Sequence, residues 1–331
     1  MAVENQDYSN ILESRNHLFK SSTSLDFIEL NALHDEIINQ TIKMAFNKTI
    51  QAYGPPPSPF CFFIMGSGGR KEQGVWSDQD HGIIYQHNHH DTNNYFLLLG
   101  KEISFGLKQT GYKLCDGNVM ASNPFWCRSL QEWQTQLNEW IEDASWESIR
   151  HLLTFMDSRS FLGEEQFIHQ LKHSSYHLIN KKKLFNRILE NTMHIKKSIG
   201  VLGQLLVEPH GPYSGHLNIK ESAIYPYVNA GRLLAIYQKL YTTSTIDRFN
   251  ELSDLVMQRH LREKYAAQFS KLQYYRLAYG RHENYESGHY LDVDKLTKDQ
   301  KKHLKEIIKD GVQLNDYVKK LLAKGENNGD E

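Results

Sequence analysis

Cysteine is scarce in this chain. Cys61, Cys115 and Cys127 make three, an odd number, with no CxxC spacing among them. That argues against a disulfide framework and fits reduced, partly buried thiols in a cytosolic protein. An excess of one charge is also missing: 38 Lys and Arg stand against 39 Asp and Glu, a formal net charge of −1. General affinity for nucleic acid, which shows as a basic excess or stripe, is therefore not expected. No apolar run approaches the ~20 residues that cross a bilayer. The start, MAVENQDYSN, lacks a basic segment followed by an apolar one, so the expectation is a soluble cytoplasmic protein without membrane association. Nor is there a Walker loop or a GxGxxG: counting from Gly66, the place of the last glycine is taken by Lys71. His87, His89 and His90 have no fourth ligand at zinc spacing and read as a polar loop.

What the chain does have is concentrated in Phe60–Tyr85, FCFFIMGSGGRKEQGVWSDQDHGIIY. An apolar run ends in Gly66-Ser67, a polar loop carries Arg70 and Glu72, and Asp78 and Asp80 lead into a second apolar run. Carboxylates at i and i+2 on an extended segment share a face, roughly 7 Å apart along it. Both can then reach divalent cations, while a Gly-Ser turn beside them lets phosphates approach the backbone closely. The pattern predicts metal-dependent chemistry on a nucleoside triphosphate. Arg70 either clamps a phosphate in two-pronged fashion or pairs with Glu72 inside the loop.

The rest of the chain is read by periodicity. Residues 24–50 carry apolar positions at helical spacing, and Gly54-Pro55-Pro56-Pro57 ends that helix. Phe60–Met65 and Gly82–Gln86 read as buried strands, 94–109 as a helix and Tyr112–Met120 as a further strand. From Ser129 onward the expected helices span 129–142, 144–158, 164–178, 181–207, 222–241, 246–279 and 293–323. Trp126, Trp133, Trp140 and Trp146 are expected as core or interface anchors. The predicted organisation is a tail over 1–24, a catalytic domain with its leading helix over 25–128, a helical substrate-binding domain over 129–324 and a disordered tail over 325–331.

The ordered set of strand, Gly-Ser, Arg, Glu, Ser-Asp-x-Asp and strand resembles the DNA polymerase β-like nucleotidyltransferase superfamily. The fuller string GSGGRKEQGVWSDQDHGIIY resembles a narrower branch, the DUF294 nucleotidyltransferases, akin to the uridylyltransferase domain that modifies signalling protein PII. CDGNVMASNPFW (115–126) and LNIKESAIYPYVNAGRLLAIYQKLYTTSTIDRFNEL (217–252) resemble later blocks of the same family. Aminoglycoside adenylyltransferases share the Gly-Ser and Asp-x-Asp logic but should lack the 217–252 block.

The resemblance implies an α+β fold: a small polymerase β-like sheet flanked by helices, followed by a mostly helical C-terminal domain. It implies Mg²⁺ or Mn²⁺ on Asp78 and Asp80, and a nucleoside triphosphate held by Gly66, Ser67, Arg70, Lys220 and Arg232. It implies transfer of UMP or AMP to a hydroxyl of a protein (PII-like) or small-molecule acceptor. Relatives place a third acid on a later strand, and Asp116 stands at about that element, although the family block there more usually reads Cys-Pro-Gly. If Asp116 is not that acid, the alternative is a catalytically weak nucleotide-binding module of the same fold.

Overall fold

The computed structural model describes residues 2–20, 26–87, 90–192 and 195–327. The chain divides into two compact units: Met1–Glu139 with Thr154–Ser174, and Trp140–Leu153 with Ser175–Glu331.

Unit 1 opens with α1 (Ala2–Lys20) and α2 (Phe27–Tyr53). The stretch expected as an N-terminal tail therefore contains a helix, and Tyr8 and Ile11 on it are buried. Asp26 caps α2 by accepting from the Ile28 and Glu29 amides, Glu29 completes a capping box, and Gly54 at φ +82 stops the helix. There follow β1 (Phe60–Ile64), a helical turn α3 (Gly66–Gly69), β2 (Asp78–Gln79), β3 (His81–Tyr85), α4 (His90–Gln109) and β4 (Lys113–Leu114). Beyond these come β5 (Cys127–Ser129), α5 (Leu130–Asp143), α6 (Trp146–Met156), β6 (Arg159–Gly163) and α7 (Gln166–Lys181), and the unit boundaries fall within α5, α6 and α7.

The main sheet runs β5-β3-β1-β6, with β1 antiparallel to both neighbours and β3 parallel to β5. β1 sits at its centre and is buried on both faces, which is why its sequence is apolar without alternation. Phe60, Phe62 and Ile64 share a core with Ile37, Ile38 and Ile42 of α2 and Phe96 and Leu99 of α4. On the opposite face Phe63 meets Trp133 and Phe155 edge-on, at ring separations of 5.6 and 5.9 Å. Trp126, Trp133 and Trp140 are buried as expected, whereas Trp146 is 59% exposed. The strand expected over 112–120 is only two residues long, because turns begin at Asp116. His89 and residues 328–331 of the expected tail lie outside the described residues, and residues 325–327 belong to the last helix.

Unit 2 is mostly helical: α8 (Phe185–Thr192), α9 (Tyr225–Gln238), α10 (Thr245–Glu251), α11 (Arg259–Tyr279) and α12 (Lys298–Asn327). Two three-residue strands, β7 (His216–Asn218) and β8 (Tyr290–Asp292), pair antiparallel. The helix expected over 181–207 ends at Thr192. Ile199 and Leu205 instead bridge around Gly200 and Gly203, the latter at φ +76. Gly200 and Gly203 lie within the non-helical stretch that follows. Tyr227 anchors the unit's core, donating its hydroxyl to the Ile307 carbonyl at 2.8 Å. No described helix is long and apolar enough to cross a membrane.

Candidate metal and nucleotide site

The loop between β1 and β2 is fastened on one side by α1 and α2. Asn31 behaves as a strand edge towards Gln73, accepting its amide at 2.8 Å and donating to its carbonyl at 3.2 Å. His34 donates from Nε2 to the Gly74 carbonyl at 2.8 Å, and its Nδ1 accepts the Tyr112 hydroxyl at 3.0 Å. Arg15 lies over the rings of Phe19, Trp76 and Tyr112 and donates to the Val75 carbonyl at 3.2 Å. Arg159 joins Asp35 of α2 and donates to the Gly68 carbonyl. The Gly-Ser turn and the aspartates are thus carried on a braced loop, which lowers the entropic cost of holding a charged ligand.

Alternation along the chain at 78–81 sorts side chains to two sides. Gln79 and His81 turn into the core. The Ala121 amide donates to His81 Nδ1 at 3.1 Å, so Nε2 carries the proton and donates to Gln79 Oε1 at 3.0 Å. Gln79 Nε2 in turn donates to the carbonyls of Ser104 and Tyr112. Burial pushes the His81 imidazole down to about 3, which keeps it neutral in this network. The residues that alternate with them, Asp78 and Asp80, stay half-buried.

Asp78 and Asp80 are brought together, and the third member of their cluster is Cys115: one donor atom from each lies within 4.8 Å of the others. The reason is strand register. β2 and β4 pair parallel, Asp78 with Lys113 and Gln79 with Leu114, and one further step sets Cys115 beside Asp80. Asp116, expected as the third acid, is not brought into this cluster. A step of one residue moves a side chain to the other face, and Asp116 is 75% exposed at the side chain with its carboxylate 2.8 Å from Lys113 Nζ. The Cys115 thiol is pushed up to about 12, first by burial and then by the charge of Asp80, to which it is hydrogen-bonded.

Gly66 and Ser67 open α3, immediately after Met65, whose amide donates to the Asp80 carbonyl at 2.8 Å. Gly66 takes φ +56, and a side chain there would run into the Asp80 carboxylate. Ser67, Gln73, Asp78 and Asp80 border a cavity of about 20 Å³, room for about one water. Two half-buried carboxylates suit a hard divalent cation, which takes one or two of them and completes its shell with water and phosphate oxygens.

Arg70 takes the second of its two readings. It is 8% exposed; Nε lies 2.7 Å from Glu72 and Nη1 2.5 Å from Asp157. Burial opposes its charge, but the two carboxylates outweigh that and raise its proton affinity. The guanidinium braces the loop from within and is not presented to a phosphate.

Lys220 and Arg232 belong to unit 2. Lys220 begins a π-helical turn (Lys220–Ile224), with Nζ 2.8 Å from His289 Nε2 and the rings of Tyr225 and Tyr285 within 5.6 and 5.4 Å. Such turns recur at functional sites. Arg232 on α9 donates to Asn229 Oδ1 at 3.0 Å. Sequence reasoning passed over Cys115, Gln73 and Asp157. The Cys-x-Gly that begins the 115–126 block was the available signal for the first.

Residues 14–147 match the family described as "Putative nucleotidyltransferase DUF294", and residues 182–321 match "Putative nucleotidyltransferase substrate binding domain". Among curated proteins none matches the chain.

Proposed function

This chain belongs to the DUF294 nucleotidyltransferase family, and we propose that it moves UMP or AMP from a nucleoside triphosphate to a hydroxyl of a protein or small-molecule acceptor. The acceptor oxygen bonds to the α-phosphorus as its hydroxyl proton passes to solvent, the α–β phosphoanhydride bond breaks, and pyrophosphate leaves. The observation that carries the reading is the convergence of Asp78 and Asp80 beside the Gly66-Ser67 turn.

The two carboxylates would hold Mg²⁺ or Mn²⁺, which when bound neutralises the triphosphate and polarises the α-phosphate. Gly66 contributes by having no side chain, so that phosphate oxygens approach the backbone and the Ser67 hydroxyl closely. Gln79 and His81, which alternate with the aspartates, are fixed in the core by their own hydrogen bonds, and preorganised charge on a segment fixed in this way needs no rearrangement during the reaction. In unit 2, Lys220 and Arg232 are the cations proposed for the nucleotide or acceptor. The location proposed is the cytoplasm.

A second reading, a nucleotide-binding regulatory module with weak turnover, draws on one observation: the third position of the cluster is a thiol and not a carboxylate. Pyrophosphate release, measured with each of the four triphosphates, Mg²⁺ and a cell lysate as acceptor source, separates the two. Release with one triphosphate, abolished by EDTA, is the expected result. Metal-dependent binding of a triphosphate without release would favour the module.

A further inference from the structure

Cys115 has no part in the transfer chemistry above, yet its sulfur stands within 4.8 Å of oxygens from both Asp78 and Asp80. The two remaining cysteines, Cys61 and Cys127, are buried, on β1 and β5. An independent observation also points to a cation. Gln73 is 4% exposed; its Nε2 donates to Ser77 Oγ at 2.9 Å, and that hydroxyl donates to the Asp78 carbonyl at 3.1 Å. The amide is thereby oriented, and its Oε1 is left buried without a hydrogen-bond partner. Gln73 borders the same small cavity as Asp78 and Asp80. A buried acceptor without a donor is destabilising, and water carried on a cation supplies that donor.

We propose that Cys115 is a third arm of the Asp78–Asp80 centre, which lets the centre take a borderline-soft divalent cation of the Zn²⁺, Co²⁺ or Cd²⁺ class through one sulfur and two carboxylate oxygens, in competition with Mg²⁺. The proposal rests on the reading of Asp78 and Asp80 as cation ligands. Mg²⁺ prefers hard oxygen donors and gains little from sulfur, whereas softer cations gain from a thiolate. A carboxylate in third place would not discriminate in this way. On binding, the sulfur–metal bond forms as the thiol proton passes to solvent.

The test uses the full chain. Titrated with Co²⁺, the wild type is expected to develop thiolate-to-cobalt charge-transfer absorption in the near ultraviolet that Cys115→Ser lacks. By calorimetry Cys115→Ser should weaken Cd²⁺ binding at least about tenfold while Mn²⁺ binding stays as in the wild type. No band in the wild type, a band that survives in Cys115→Ser, or equal Cd²⁺ affinity in the two proteins overturns the proposal. If the variant does not fold, the wild-type thiol serves as the probe. Cd²⁺ should protect Cys115 from iodoacetamide, read by mass spectrometry, and full alkylation at saturating Cd²⁺ overturns the proposal. Asp78→Asn and Asp80→Asn proteins that bind Mn²⁺ as well as the wild type would bring down the cation reading, and this proposal with it. Loss of Mn²⁺ binding there with unchanged Cd²⁺ binding in Cys115→Ser would bring down this proposal alone.

Discussion

Gly66 and Asp80 are packed so closely that only glycine fits at position 66: a Cβ built there would overlap Oδ2 of Asp80. The backbone agrees, because Gly66 takes φ +56, a region that disfavours any side chain. Gly66→Ala is thus expected to displace the Asp80 carboxylate and to cost about 1 kcal/mol in backbone strain. Mn²⁺ affinity, read from the resonance of the free ion, should fall at least about tenfold, with a small drop in melting temperature. Wild-type affinity in this variant would mean that the contact does not serve cation binding.

Asp78→Asn and Asp80→Asn should each abolish transfer and leave the fold intact. The two carboxylates lie close together and half-buried, so removing one charge relieves repulsion in the cation-free protein while weakening cation binding. Melting temperature in EDTA should therefore hold or rise. Circular dichroism and pyrophosphate release together check this, and turnover retained by either variant would contradict the assignment.

What the sequence made legible is local. Gly66, Ser67, Asp78 and Asp80 were readable because strand, turn and alternation lie within one short stretch. Asp116 could not be told from Cys115, since the choice depends on the register of two-residue strands, and two residues carry no period. Arg70 was left between two roles because its partner Asp157 is 87 residues away. β6, β7 and β8 fell between stretches read as helical and were passed over, being five residues or fewer. The irregular stretch over 195–207 was lost to a helical pattern extended across Gly200 and Gly203.

Asp116→Asn should leave cation binding and turnover close to wild type. Its carboxylate is exposed and engaged by Lys113, a surface pair worth about 0–1 kcal/mol. Were Asp116 the general base, the same change would slow transfer by about a hundredfold or more, so one rate measurement decides.

Alkaline stability follows from Cys61, which lies wholly buried on β1 and is pushed up to about 12, first by burial and then by the charges of Glu165 and Glu164, against the opposing hydrogen bond with Ser160. In the unfolded chain the thiol ionises at its ordinary value, so between pH 9 and 12 the unfolded state binds fewer protons than the folded one. Stability is then fully present below pH 9 and declines as pH rises through that window, by up to roughly 1.4 kcal/mol per unit. Urea unfolding at pH 8 and 10.5 should show the loss, and Cys61→Ala should reduce it in part, since Cys115 is raised in the same way.

Arg70 offers the clearest contrast between framework and ligand contact. Its guanidinium is the shared partner of Glu72 and Asp157, both buried, at 4% and 0% side-chain exposure. Arg70→Met leaves two buried carboxylates facing each other, and breaking a buried pair in this way costs about 3–5 kcal/mol. Arg70→Lys should recover little, because an ammonium lacks the planar fork that reaches both acids at once. Arg70→Met combined with Asp157→Asn should recover part of the loss, since one uncompensated charge is gone. The measurement is urea unfolding of unit 1 within the full chain, followed by the fluorescence of its buried tryptophans. A phosphate clamp would behave the other way round: stability near wild type, triphosphate affinity sharply lower, and partial rescue by lysine.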